Sequence, residues 1–166
     1  RVLRALADVV LVGAGTVLTP AQVDTAVAAG AQYVVSPGTS RAVVERCQEH
    51  GVAVLPGAVT ATEIQAALEL GLTTVKFFPA GTSGGAPAIA ALSAPFGGVQ
   101  FVPTGGVGPA NLGDYLALPS VVAVGGSWMV PAATVAAHEF ATITDLTTTA
   151  VTLARSLRPA VDPASA

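Results

Sequence analysis

Thr74-Val75-Lys76-Phe77-Phe78-Pro79-Ala80-Gly81 places the only lysine of a 166-residue chain in a short apolar run closed by proline and small residues. A run of this length and composition predicts a buried strand. The same unit recurs. Apolar runs predict fully buried strands at Val9 to Val12, Tyr33 to Ser36, Ala53 to Leu55, Thr74 to Phe78, Gln100 to Val102 and Val121 to Val124. With Val10, Val34, Ala53, Val75, Phe101 and Val122 as markers, the spacings are 24, 19, 22, 26 and 21 residues, the period of one strand–helix unit.

Between the runs, helical spacing of apolar residues predicts helices that include Pro20 to Ala29, Ser40 to Glu49, Thr62 to Leu70 and Pro109 to Leu116. Gly30, Gly51 and Gly71 are placed as C-terminal stops. Strands alternating with helices imply a parallel sheet buried on both faces. Every strand ends in small or turn-forming residues: Gly13-Ala14-Gly15-Thr16, Ser36-Pro37-Gly38, Pro56-Gly57, Pro79-Ala80-Gly81, Pro103-Thr104-Gly105-Gly106 and Gly125-Gly126-Ser127. A doubly wound sheet concentrates such chemistry at one crevice, whereas a barrel gathers all strand ends around one mouth. The reading is therefore an α/β (β/α)8 TIM barrel of which the chain supplies about six units, strands 3 to 8.

The chain fits one domain over residues 1–157, in which the sixth unit is followed by a short Pro131 to Ala137 helix and a longer Glu139 to Leu157 helix. Residues 158–166, with Pro159 and Pro163, predict a frayed tail. The start, Arg1 to Asp8, reads as the back half of a helix, so the sequence is expected to begin inside a larger protein. Six parallel strands cannot close an eight-strand barrel.

Composition narrows the function classes. A net charge of −3, with six arginines and one lysine, offers no basic patch for nucleic acid. The longest uncharged stretch, Phe77 to Gly113, contains five prolines and nine glycines and cannot form an unbroken spanning helix, so no membrane partner is expected. Cys47 is the single cysteine and excludes an internal disulfide. A cytoplasmic location is compatible with this.

Period-two alternation puts Thr74, Lys76 and Phe78 on one face and Val75 and Phe77 on the other. If Val75 and Phe77 face the helices, Lys76 points into the barrel. Desolvation there favours the neutral amine, the form that attacks a carbonyl carbon. A lysine that snorkels to solvent, or one held by a buried carboxylate, remains the alternative. The glycine pairs Gly105-Gly106 and Gly125-Gly126, with Ser127, lie where barrels bind phosphate through backbone N–H groups.

Other polar residues fit structural duties. His50 precedes a helix stop, Glu63 three residues after Thr60 forms a capping box, and Cys47 lies with Val43 and Val44 in a core stripe, while Arg41 near the mouth is open to two readings, contact with an anionic substrate or a solvated helix start. His138 has no partner at metal-ligand spacing, and neither metal nor cofactor is expected.

Taken in order, Gly13-Ala14-Gly15-Thr16-Val17-Leu18, Ser36-Pro37-Gly38, Leu55-Pro56-Gly57, Lys76-Phe77-Phe78-Pro79-Ala80, Pro103-Thr104-Gly105-Gly106 and Gly125-Gly126-Ser127-Trp128 resemble the 2-keto-3-deoxy-6-phosphogluconate (KDPG) aldolases of the KDPG/KHG family. The resemblance covers the chain to about Leu157. It implies a class I aldolase, a cofactor-free homotrimer that cleaves a phosphorylated keto acid to pyruvate and glyceraldehyde 3-phosphate in the Entner–Doudoroff pathway. Lys76 then resembles the Schiff-base lysine. Thr16, Pro56, Phe78 and Thr104 would contact substrate, and Gly105, Gly106, Gly126 and Ser127 would hold its phosphate. The family also carries a catalytic glutamate, with an arginine close behind, on the second barrel strand, a strand the sequence does not include; Glu45, Glu49, Glu63 and Glu69 all fall on predicted helices. Two other readings use the same residues: a phosphate-binding barrel isomerase or epimerase in which Lys76 is an acid or base, and an inactive truncated fragment.

Overall fold

The structure is a computed structural model that describes residues 9–158; the predicted leading helix at Arg1 to Asp8 and the tail beyond Arg158 lie outside them. Five strands are present: β1 (Gly13–Gly15), β2 (Tyr33–Val35), β3 (Ala53–Leu55), β4 (Thr74–Phe77) and β5 (Gln100–Pro103). The helices are α1 (Pro20–Ala29), α2 (Arg41–Glu49), α3 (Ala61–Glu69), α4 (Gly85–Ser93), α5 (Leu112–Leu116), α6 (Ala132–Ala136) and α7 (Phe140–Leu157).

All strand pairs are parallel. Gly13, Tyr33 and Ala53 are in register across β1, β2 and β3, and Lys76 is in register with Val102 across β4 and β5. A bridge between Gly57 and Lys76 joins the two groups into one arc, and bridges from Phe101 to Val121 and from Thr104 to Gly125 continue it beyond β5. Parallel strands β1 to β5, each followed by a helix and joined in sequence order into one arc, are part of a (β/α)8 barrel.

Local chemistry explains the element ends. Thr19 caps α1 through its hydroxyl, which accepts from the Gln22 N–H, and Pro20 occupies the first turn, where its missing N–H costs nothing. Gly30 ends α1 at φ 102°, a left-handed conformation that disfavours side chains, and the following N–H of Ala31 donates back to the Ala26 carbonyl at 3.0 Å. At α3, Thr60 and Glu63 form the expected capping box.

The core lies between the arc and its helices. Val75, Phe77 and Phe101 pack with Ile64, Ile89, Leu112 and Val121, while Val34 packs with Val23, Val43 and Cys47. Each such fully buried side chain contributes roughly 1.5–3 kcal/mol of transfer free energy.

The structure departs from the sequence reading at four places. The first strand is not Val9 to Val12: Val9, Val10 and Leu11 are exposed, and pairing starts only where Gln32 donates its N–H to the Val12 carbonyl. The glycines and alanine of β1 take the ladder because Gly13 leaves room for the Tyr33 ring lying across it. Val121 to Val124 is not a continuous strand: one bridge forms at Val121 and the next only at Gly125, with Val122 and Ala123 exposed between them. The strands are not buried on both faces: β1 and β3 carry no fully buried residue, and β4 alternates between half-buried and buried residues along its length. Finally, α4 was not among the helices that spacing named, for it carries no charge and opens on Gly84 and Gly85 at positive φ, and α5 begins at Leu112 rather than Pro109.

Candidate active site

As the alternation of β4 predicts, Val75 and Phe77 are fully buried against the helices, and Lys76 lies on the opposite, concave face of the arc, half-buried. Its backbone is fixed on both sides. The Lys76 N–H donates to the Pro56 carbonyl at 2.8 Å, and the Ala58 N–H donates to the Lys76 carbonyl at 2.9 Å. Pro56 is fully buried, so the seam carrying Lys76 is shielded from competing water.

The ammonium position is set by one neighbour. Lys76 Nζ stands 4.2 Å from the centroid of the Phe78 ring, a distance at which the ring face attracts a cation. Among the described residues no carboxylate pairs with Lys76: Glu45, Glu49, Glu63 and Glu69 all lie on the outer helices. Burial without a counter-charge pushes the Lys76 pKa below its ordinary value, and desolvation is the cause. The alternative of a lysine held by a carboxylate thus has no partner among the described residues.

Beyond Phe78 the chain stays tied to β5. The Thr104 N–H donates to the Phe77 carbonyl at 3.0 Å, the Ala80 N–H to the Thr104 carbonyl at 2.9 Å, and the Gly81 N–H to the Gly105 carbonyl at 2.9 Å. Thr104 in turn bridges to Gly125, whose N–H donates to the Pro103 carbonyl at 2.9 Å. Gly105 and Gly106 adopt φ of 87° and 77°, a turn that side chains resist. A Cβ on Gly126 would overlap the Trp128 ring, and one on Gly125 would overlap the Thr104 hydroxyl. Pro56, Lys76, Phe78, Thr104, Gly105, Gly106 and Gly126 are therefore brought to one end of neighbouring strands, with Ser127 exposed beside them.

Thr16 sits at the same end of the arc, immediately after β1 and three strands from β4, and is exposed. Its neighbour Val17 is anchored by donation to the Val35 carbonyl at 3.1 Å. Sequence reasoning did not name Gly81 as a site residue. It faces Gly106 so closely that a Cβ on Gly106 would lie 3.2 Å from its Cα. The signal for it was the Pro79-Ala80-Gly81 strand end itself.

The residues given structural duties keep them. His50 Nε2 and Arg46 Nε both meet Asp24 Oδ1 at 2.6 Å, which clasps α2 to α1. Those contacts, Arg46 first, hold the Asp24 carboxyl below its usual range. Arg41 pairs with Glu45 at 3.2 Å and Glu69 at 3.9 Å on the surface. Cys47 is buried, and desolvation raises its thiol pKa. Among the described residues, no group of three His, Cys, Asp or Glu side chains is arranged to hold a metal, and no helix is long and apolar enough to cross a membrane.

Comparison with known proteins gives concordant matches. The family model described as KDPG and KHG aldolase matches residues 1–146. A curated protein of Treponema pallidum named 2-dehydro-3-deoxy-phosphogluconate aldolase is 55% identical over 82% of this chain and 65% of its own length. The Escherichia coli K12 protein named KHG/KDPG aldolase is 45% identical over 85% of this chain and 66% of its own length. The chain thus spans just under two thirds of these relatives. A crystal structure of a KDPG aldolase from Legionella pneumophila, with pyruvate captured at low pH as a covalent carbinolamine intermediate, superposes with a TM-score of 0.82 at 41% identity. That match covers 87% of this chain and 71% of the other.

Proposed function

The chain belongs to the KDPG and KHG aldolase family, and from that premise we propose that it carries the Schiff-base half of a class I aldolase acting on 2-keto-3-deoxy-6-phosphogluconate. The observation that carries this reading is Lys76: a lone lysine on the concave face of the arc, without a carboxylate partner among the described residues and with its pKa lowered by burial. Burial shifts Lys76 toward the neutral amine, the form that attacks a carbonyl carbon.

Lys76 Nζ adds to the carbonyl carbon of the keto acid. The carbonyl oxygen gains one proton from the amine and one from a general acid and leaves as water, and nitrogen remains as a protonated imine. The bond between carbons 3 and 4 then breaks with its electron pair flowing to the imine nitrogen, while the carbon-4 hydroxyl gives its proton to a base and departs as the aldehyde, glyceraldehyde 3-phosphate. The resulting enamine takes a proton at carbon 3, and water hydrolyses the imine to pyruvate and free Lys76. The proton steps need a general acid–base, a role for which the described carboxylates, all on the outer helices or, for Glu139, capping one, are badly placed.

Phe78 and Pro56, which contact Lys76, and Thr104, whose N–H donates to the Phe77 carbonyl, are assigned to the pyruvate end of the substrate. Thr16 is assigned to its carboxylate side from the opposite arm of the arc. The Gly105-Gly106 turn with Gly126 and Ser127 is assigned to the phosphate, held by backbone N–H groups and one hydroxyl. A single domain, a homotrimeric assembly, a cytoplasmic location and a place in the Entner–Doudoroff pathway complete the reading, resting on family likeness. The L. pneumophila carbinolamine complex supports the covalent chemistry by analogy.

Incubation with pyruvate and borohydride tests the proposal. One reduced pyruvate adduct on the peptide containing Lys76 is the expected result; an unmodified Lys76 under conditions that trap a known class I aldolase would overturn it.

A further inference from the structure

Phe78 touches both Lys76 and the glycine turn. Its ring centroid lies 4.2 Å from Nζ on one side. On the other, a Cβ built on Gly105 would stand 3.1 Å from Phe78 Cε2 and 3.2 Å from Cδ2, closer than ordinary contact, and 3.5 Å from Pro79 Cα. The ring has little freedom to retreat, because hydrogen bonds tie the chain on both sides of it: Thr104 N–H to the Phe77 carbonyl, and Ala80 N–H to the Thr104 carbonyl. Gly106 differs. It shares the positive φ of Gly105, yet its would-be Cβ meets Gly81 and not Phe78.

We propose that Gly105 is a positioning residue for Lys76, acting through Phe78: the absence of a side chain at Gly105 seats the Phe78 ring against Nζ, where the ring face stabilises the cation formed when the amine condenses with a keto acid. This deepens the Schiff-base reading and rests on it for its chemistry, but the geometry can be read without catalysis. It also gives the turn assigned to phosphate a second duty toward the nucleophile.

Because Lys76 is the only lysine of the chain, reductive methylation with 13C-formaldehyde labels it and the amino terminus alone. The Lys76 methyl signal in the protein is expected to be shifted upfield by the Phe78 ring current, and to lose that shift in Phe78→Leu and in Gly105→Ala. Gly106→Ala, with the same backbone strain but no contact with the ring, is expected to keep it. An upfield shift that survives Gly105→Ala, or one lost equally in Gly106→Ala, would overturn the proposal, as would equal signals in the unaltered protein and Phe78→Leu.

The rate of pyruvate adduct formation provides the functional arm. Gly105→Ala is expected to slow trapping roughly tenfold, the size a partly desolvated ring–cation contact allows. In a Phe78→Leu background the same change should alter the rate by less than about twofold, because the two residues act through one contact. Effects that simply multiply would refute the coupling. Absence of any adduct in the unaltered protein, with the ring-current pattern intact, would instead remove the aldolase reading and leave the positioning role standing.

Discussion

The main chain of Lys76 is hydrogen-bonded to Pro56, N–H to carbonyl at 2.8 Å, so the one lysine sits on the seam that joins the two halves of the strand arc. Fixing the backbone leaves the ammonium to be desolvated where the fold puts it, and the lowered pKa follows from that placement. Sign matters here. Since burial favours the neutral form, adduct formation with pyruvate should rise with pH and reach half its maximum below pH 10.5, the ordinary lysine value. A pH profile of borohydride trapping checks this; a midpoint at or above 10.5 would contradict it.

The same desolvation costs stability. A lysine with a folded pKa below its unfolded one binds fewer protons in the native state between those two values, so its penalty is largest below the folded pKa and disappears as pH rises toward the unfolded value. Lys76→Met should therefore abolish adduct formation while raising stability at neutral pH by about 1 kcal/mol, the cost of partly burying an unpaired polar group. Urea unfolding reads this as a higher midpoint at unchanged slope. A lower midpoint would mean that the Phe78 ring contact outweighs the cost of desolvation.

Adjacent phenylalanines should separate packing from chemistry. Phe77 is fully buried and stacks edge-on with Phe101 at 6.3 Å between ring centroids, whereas Phe78 is half-buried on the concave face. Phe77→Ala should cost about 3–5 kcal/mol of stability. Phe78→Leu should cost less than about 1.5 kcal/mol, as a hydrophobic replacement of similar bulk, yet slow pyruvate trapping. Similar stability losses at both positions would show that the strand parity is misjudged.

Much of this was legible in the sequence because it depends on local rules. Pro20 at a helix start, Gly30 at a helix end and Thr60 with Glu63 across a first turn each carry their own stereochemistry. The alternation of β4 aimed Lys76 correctly for the same reason. What failed depended on neighbours distant in sequence. Val9 to Leu11 are as apolar as any buried strand, but no described element covers them, and the ladder forms at glycines that by composition read as a loop. Nor could spacing reveal that Gly105 borders the Phe78 ring, since 27 residues separate them in the chain.

The capping box of α3 makes a pH-dependent prediction. Glu63 Oε2 accepts from the Val59 N–H at 2.8 Å and from the Thr60 N–H and hydroxyl at 2.9 Å each. Burial alone would raise its pKa, but these hydrogen bonds prevail and lower it below 4.5. A depressed carboxyl contributes stability that is present above pH 4.5 and lost as pH falls through the folded pKa. Thr60→Ala should cost about 1 kcal/mol at neutral pH, with the gap to the unaltered protein narrowing on acidification. Chemical denaturation across pH 3 to 7 measures it, and a gap independent of pH would deny the charged role of Glu63.

Ser127 offers the most direct test of the phosphate assignment. It is exposed at the end of the arc beside Gly126, whose near approach to Trp128 leaves no room for a side chain, so a phosphate there would meet backbone N–H groups and the single hydroxyl. A hydrogen bond to a charged group is worth about 1.5–3 kcal/mol. Ser127→Ala should therefore raise KM for the phosphorylated keto acid roughly tenfold or more. Because the hydroxyl touches no reacting atom in this assignment, kcat should change little, and kcat/KM for an unphosphorylated 4-hydroxy-2-keto acid should be unaltered. Equal losses for both substrates would move Ser127 from phosphate binding to the reacting end, since only an interaction with the shared keto acid portion could affect both alike.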